Sequence, residues 1–206
     1  MKPKVILFDI DGVIVRPPYY FWKVLEDRGY QNAEDILNNF FIHENTDCTE
    51  WRADIGEKIL PYLEKIWWKK SVEEFFKEQF EFEARYFDTS FIDIVKEFQS
   101  KGIKCYLASA QEKVRARYFL EEVWFDEIFD GYYISCDIGF RKDKPEYWEE
   151  VLKDLKQKYS NLQNGEILFI DDGKRNIEIA SNFGLQTILF QDKQGFDSSL
   201  QDVIDI

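Results

Sequence analysis

Histidine occurs once (His43) and cysteine only three times in this 206-residue chain. Cys48, Cys105 and Cys136 lie far apart with no CxxC spacing, so neither structural zinc nor a disulfide scaffold is expected. Glycine (10) and proline (5) are also sparse, which argues against disordered linkers and repeat architecture. No apolar run is long enough to span a membrane. The short one that follows Met1-Lys2-Pro3-Lys4 is too brief for a signal peptide. A reducing, cytoplasmic setting with no membrane partner is therefore the expectation, and oligomeric state is not legible. Positive charge is in deficit too, with 27 basic residues against 40 acidic and a formal charge of −13. Such a field repels phosphate backbones, so no nucleic-acid partner is expected. It also demands a local cluster of cations wherever a small phosphorylated substrate binds.

Large rings are abundant instead: 17% of residues are aromatic and 45% hydrophobic, enough for a substantial core. Val5–Phe8 is a continuous apolar run of the kind buried in parallel sheets, and similar runs recur at Ile103–Ala108, Tyr132–Ile134, Ile167–Ile170 and Thr187–Phe190. Helical patterns precede several of them, such as Phe91, Ile94, Val95 and Phe98 closed by Gly102. The alternation predicts an α/β fold: a three-layer, Rossmann-like parallel-sheet core. From Pro17 to Thr89 the rhythm breaks into aromatic-rich amphipathic stretches without a strand. We assign residues 1–15 and 90–206 to the core and 16–89 to a small all-helical cap subdomain. Within the cap, Pro17-Pro18 can open a helix running to about Arg28. Asp47 with Glu50 and Ser71 with Glu74 have capping-box spacing, and Pro61 is expected to separate or kink two helices. A short terminal helix carrying Phe196, Leu200, Val203, Ile204 and Ile206 is expected against the core.

Ligands of open parallel sheets gather outside the carboxyl ends of strands. There the sequence places Asp9, Asp11 and Gly12, then Ser109 and Ala110, then Asp171, Asp172 and Asn176. At least three carboxylates would crowd one spot, and a hard divalent cation such as magnesium neutralises such a group. An ionised Asp9 can attack phosphorus to give an aspartyl-phosphate. Asp11, kept partly protonated by its neighbours, can protonate the leaving oxygen and later deprotonate water. Gly12 frees the backbone to turn past the metal. The Ser109 hydroxyl and the amides of Ala110 and Gln111, at an expected helix start, offer a phosphate site. The balancing cation is sought in Arg141-Lys142-Asp143-Lys144, where spacing alone does not choose between Lys142 and Lys144; Arg16 is a secondary candidate. Tyr19, Tyr20, Phe21 and Trp22 open the cap close to this loop, and one or two of them could line a pocket.

These residues carry a resemblance to the haloacid dehalogenase-like hydrolase superfamily. Phe8-Asp9-Ile10-Asp11-Gly12-Val13 resembles its first motif, and Tyr106-Leu107-Ala108-Ser109-Ala110 is similar to the second. Gly139-Phe140-Arg141-Lys142 resembles the approach to the third, and Asp171-Asp172 with Asn176, Ala180 and Gly184 resembles the fourth. The resemblance implies that Asp9 is the nucleophile, Asp11 the acid/base and a magnesium ligand through its carbonyl, and Asp172 a direct ligand. Asp171 would bind directly or through water, with Asn176 supporting. Pro145-Glu146-Tyr147-Trp148 follows the family pattern without a gap only if Lys142 is the catalytic lysine, so Lys142 is preferred to Lys144. The implied activity is magnesium-dependent hydrolysis of a small soluble phosphorylated metabolite. Ala110 stands where many relatives have Asn and sugar-phosphate mutases often have Ala, which keeps a mutase of the β-phosphoglucomutase type as an alternative. The presence of Asp11 disfavours dehalogenation. A catalytically silent binding module on the same fold is the third reading.

Overall fold

Every residue of Val5–Phe8 is buried, and a run buried on both faces belongs in the middle of a parallel sheet. The computed structural model, which describes residues 1–204, places it there. Strands β1 (Val5–Phe8), β2 (Lys104–Ser109), β3 (Gly131–Ile134), β4 (Ile167–Asp171) and β5 (Gln186–Leu189) form one sheet in the order β3-β2-β1-β4-β5. All pairings are parallel, with Phe8 opposite Leu107 on one side and Ile170 on the other. The chain thus returns to opposite sides of β1, and the crevice at its carboxyl end is the switch point where such sheets hold ligands.

Alternate residues of β1 face two different helical layers, as the two-residue period of a strand requires. Ile6 and Phe8 pack with Phe91, Val95 and Phe98 of helix Ser90–Ser100, together with Phe119 and Phe125. Val5 and Leu7 pack with Tyr147, Trp148, Val151, Leu152 and Leu155 of helix Pro145–Lys158. Pro145 opens that helix at its first turn, where no intrahelical N–H is missed. Tail helix Lys193–Ile204 adds Phe196 and Leu200 to the first layer, as expected. Ile206 lies outside the described residues, as do the side chains of Val203 and Ile204.

A third cluster, built from Phe21, Trp22, Leu25, Leu37, Phe40, Ile59, Leu63, Trp68, Phe75 and Phe80 among others, gives the helical cap region its own core. Its helices include Phe21–Asp27, Ala33–Asn39, Thr46–Thr49, Ile55–Lys65 and Val72–Ala84. Three local expectations need correction. The first helix starts at Phe21 rather than at the prolines. Pro61 does not separate two helices: it lies inside one continuous helix, on its exposed side, where water can donate to the carbonyl that the missing proline N–H leaves free. Ser71 and Glu74 do form a capping box, whereas Asp47 and Glu50 do not: Asn45 precedes that short helix and Glu50 is drawn elsewhere. Trp68 is buried while Trp67 is exposed, and His43 lies exposed in a π-helical turn, Phe40–Glu44. Among the described residues, no helix is long and apolar enough to cross a membrane.

Candidate active site

The backbone extends the β1 ladder by one residue, since Asp9 N donates to Ile170 O at 3.0 Å, and then turns sharply. Ile14 N and Val15 N both donate to Ile10 O at 2.9 Å, closing a tight loop. Gly12 sits in it at φ 72°, a left-handed conformation that side chains resist, and a Cβ there would stand 2.0 Å from Asp172 Oδ2. Only glycine lets the β1 and β4 loops approach this closely.

Asp9 is 5% exposed. Its Oδ1 accepts from Ile10 N and Ser109 Oγ, each at 2.8 Å, and lies 2.6 Å from the Lys142 ammonium. Its other oxygen takes no hydrogen bond among the described residues. Lys142 Nζ also donates to Asp171 Oδ2 at 2.6 Å, so one buried cation joins the ends of β1 and β4. Asp171 Oδ1 is fully engaged, accepting from Gly173 N at 2.7 Å and Asn176 Nδ2 at 2.9 Å. Asp172, by contrast, stands exposed and forms no ion pair among the described residues. Lys144 points elsewhere, its ammonium 2.5 Å from the buried carboxylate of Glu50. Arg16 pairs with Asp88 at 2.6 Å over the Phe190 ring, at the rim of the adjoining cavity.

The expected helix start shifts. The helix after β2 begins at Lys113, capped by Glu112, whose carboxylate accepts from Val114 N and Arg115 N. The Gln111 amide donates to Ser135 Oγ at 3.0 Å and is not free for phosphate, which leaves the Ala110 amide of the proposed pair. The state of Asp11 also differs from the expectation of a partly protonated group. Burial raises its carboxyl, but the Arg115 charge and hydrogen bonds from Arg115 and Gln111 outweigh this and hold it below the usual carboxylate range. Arg115 donates to both Asp11 oxygens, at 2.6 and 2.7 Å, and Gln111 Nε2 adds a bond at 2.7 Å.

Arg115, Glu83 and the side chain of Gln111 are what sequence reasoning missed. Gln111 Nε2 also donates to Ser109 Oγ at 2.9 Å, and Arg115 Nη1 donates to Gln111 Oε1 at 2.5 Å. Arg115 Nε donates to Glu83 Oε2 of the cap at 2.8 Å. The four-residue spacing of Gln111 and Arg115 just after the Ser109 motif was a usable signal. Nothing in the sequence ties either to Glu83. A cavity of about 440 Å³ opens beside this group, lined by Asp11, Gly12 and Asp172 at its base, Glu83 and Arg115 on the cap side, and Tyr19 with Tyr20 at the rim. Phe21 and Trp22, the other two rings weighed for that role, are buried in the cap's own core.

Oxygens of Asp9, Asp171 and Asp172 lie within 4.8 Å of one another. Burial pushes the Asp9 carboxyl well up; Lys142 opposes the shift, and the charges of Asp171 and Asp11 add to it. Burial and Asp171 raise Asp172 likewise. Three hard oxygen donors with a surplus of negative charge suit a magnesium ion.

An open parallel sheet thus carries carboxylates at two adjacent strand ends with a buried lysine between them. The family model of haloacid dehalogenase-like hydrolases matches residues 3–184, so the chain belongs to that family and is a hydrolase-class enzyme. Over 72 residues, 35% of the chain, it is 37% identical to D-ribitol-5-phosphate phosphatase of Bacteroides thetaiotaomicron, and the match spans about a third (32%) of that relative. A HAD-like family hydrolase of Porphyromonas gingivalis superposes with a TM-score of 0.78 at 18% identity, covering 100% of both chains. A HAD family enzyme of B. thetaiotaomicron, solved with magnesium and inorganic phosphate, superposes with a TM-score of 0.69 at 18% identity, covering 92% of this chain and 94% of the other. These structural likenesses establish the fold.

Proposed function

We propose that the protein is a magnesium-dependent phosphomonoester hydrolase acting on a small soluble phosphorylated metabolite. The observation that carries this reading is Asp9, its Oδ1 held by Ser109 and Lys142 and its second oxygen open to attack. Asp11, ionised beside Arg115 in the free enzyme, first takes a proton from solvent; the open Asp9 oxygen then attacks phosphorus while the bond to the leaving oxygen breaks, and the departing electron pair takes that proton from Asp11. Water then attacks the aspartyl-phosphate, Asp11 takes its proton, and Asp9 and inorganic phosphate are released. The pairing with Arg115 keeps Asp11 ready as the base of the second step. Lys142 balances charge on the transferring group, and Ser109 with the Ala110 amide holds its oxygens. Asp9, the Asp11 carbonyl and Asp172 would hold magnesium, with Asp171 acting chiefly through Lys142; Gly12 and Asn176 support this loop geometry. Bound there, the ion would neutralise phosphate charge as a Lewis acid.

The cap, which we place at residues 16–89 against a core of 1–15 and 90–206, covers the leaving-group side. The polyol-phosphate phosphatase among the relatives supports a phosphorylated sugar or polyol as substrate. Ala110 favours the second reading, a sugar-phosphate mutase with the same first step. Family membership and the filled site leave nothing in favour of a silent binding module. A panel of phosphomonoesters with magnesium tests the proposal: phosphate release abolished by Asp9→Asn supports it. Isomerised sugar phosphate, stimulated by a bisphosphate and with little free phosphate, would favour the mutase.

A further inference from the structure

Among the described residues, the one side chain that grips both oxygens of Asp11 is itself gripped from the cap. Arg115 sits on the core helix Lys113–Arg117, with its side chain 13% exposed and its guanidinium over the Phe119 ring. Glu83 lies near the end of cap helix Val72–Ala84 with its side chain 8% exposed. Glu83 is fixed in turn, since its Oε1 accepts from Gln79 Nε2 at 2.9 Å. A planar guanidinium has a rigid fork of donors, so fixing Nε fixes where Nη1 and Nη2 point. Here Nε goes to Glu83, Nη1 to Asp11 and Gln111, and Nη2 to Asp11. The plane of the Asp11 carboxylate is therefore set from Glu83, 72 positions along the chain, and all three side chains line the cavity that would take the leaving group.

Resting on the phosphatase reading, we propose that Glu83 and Arg115 are positioning residues for Asp11. The docked cap thereby aims Asp11 at the oxygen that leaves. Neither residue touches the transferring phosphoryl group. Their loss should weaken proton delivery to the leaving group more than the attack by Asp9.

The test compares kcat/KM for 4-nitrophenyl, phenyl and benzyl phosphate, which are similar in shape while their leaving groups need a proton increasingly. Glu83→Gln keeps the shape of the side chain and removes its charge, and Arg115→Lys keeps charge but loses the fork. For both we expect benzyl phosphate to fall by about tenfold or more, and 4-nitrophenyl phosphate by less than about threefold. Thermal melting confirms folding, and Glu83→Gln alone decides if Arg115→Lys does not fold. An equal fall on all three substrates means that the pair is merely structural and overturns the proposal, as does full activity of both variants. A wild-type protein that releases no phosphate from any of the three with magnesium would overturn the phosphatase reading, and this proposal with it.

Discussion

Replacing Lys142 by methionine keeps most of the side-chain volume and removes the cation between Asp9 and Asp171. The lysine side chain is 3% exposed and its ammonium lies 2.6 Å from each carboxylate, whose side chains are 6% and 0% exposed. Removing one partner from a buried ion pair costs roughly 3–5 kcal/mol, because the remaining charge stays buried and uncompensated. Here two carboxylates are left facing each other, so Lys142→Met should fall in the upper part of that range when measured by denaturant unfolding in chelator. Without the ammonium the acidic cluster attracts a divalent cation more strongly, so saturating magnesium should narrow the deficit; occupancy at a hundred times Kd contributes about 2.7 kcal/mol. Activity should drop by about 10²–10³-fold, typical of losing one group that stabilises developing charge. Lys144→Ala is the control. Its partner Glu50 is buried but keeps Arg52 at 3.1 Å, so stability should fall by less than for Lys142→Met, and kcat/KM by less than about threefold. An inactive Lys144 variant beside an active, fully stable Lys142→Met would refute the assignment.

Further predictions follow from the same geometry. Gly12→Ala would place a methyl 2.0 Å from Asp172 Oδ2 in a left-handed backbone position. It should destabilise by about 1–3 kcal/mol and raise the magnesium concentration needed for half-maximal activity, whereas an unchanged magnesium titration would contradict the close approach. Asp172→Asn should raise that concentration by about tenfold or more, and chelator should silence the wild type reversibly; activity that survives exhaustive chelation would argue against the metal. Burial, with Asp54 adding, pushes the Glu112 carboxyl up to about 7, although the Val114 and Arg115 amides and the Arg115 charge pull it down. The unfolded chain then releases this proton first, so stability falls as pH rises from about 4.5 to about 7, by on the order of 3 kcal/mol relative to Glu112→Gln. Parallel pH–stability curves for the two proteins would refute this.

What could be read from the sequence was what is local to a strand end. Asp9, Ser109 and Asp171 each end or follow a short apolar run, and parallel pairing then brings those ends together whatever the rest of the chain does. Residues that meet only through packing of the cap were hidden. Arg115 and Glu83 are helical charges that look solvated in the sequence, and only the docked cap brings them within 2.8 Å. Asp47–Glu50 and Ser71–Glu74 have the same spacing, yet only the second caps a helix. Glu50 is instead held between Lys144 at 2.5 Å and Arg52 at 3.1 Å, partners the spacing rule does not see. The downward shift of the Asp11 carboxyl is hidden for the same reason: its neighbouring carboxylates are visible in the sequence, and the cation that outweighs them is not.

The central claim is that Asp9 carries the phosphoryl group. Rapid acid quench during turnover of a hydrolysed phosphomonoester with magnesium, followed by peptide mass spectrometry, tests it directly. The account predicts the mass of one phosphoryl group on the peptide containing Asp9, absent in Asp9→Asn. Turnover with a phosphoryl group on another residue, or undiminished turnover by Asp9→Asn, would contradict it.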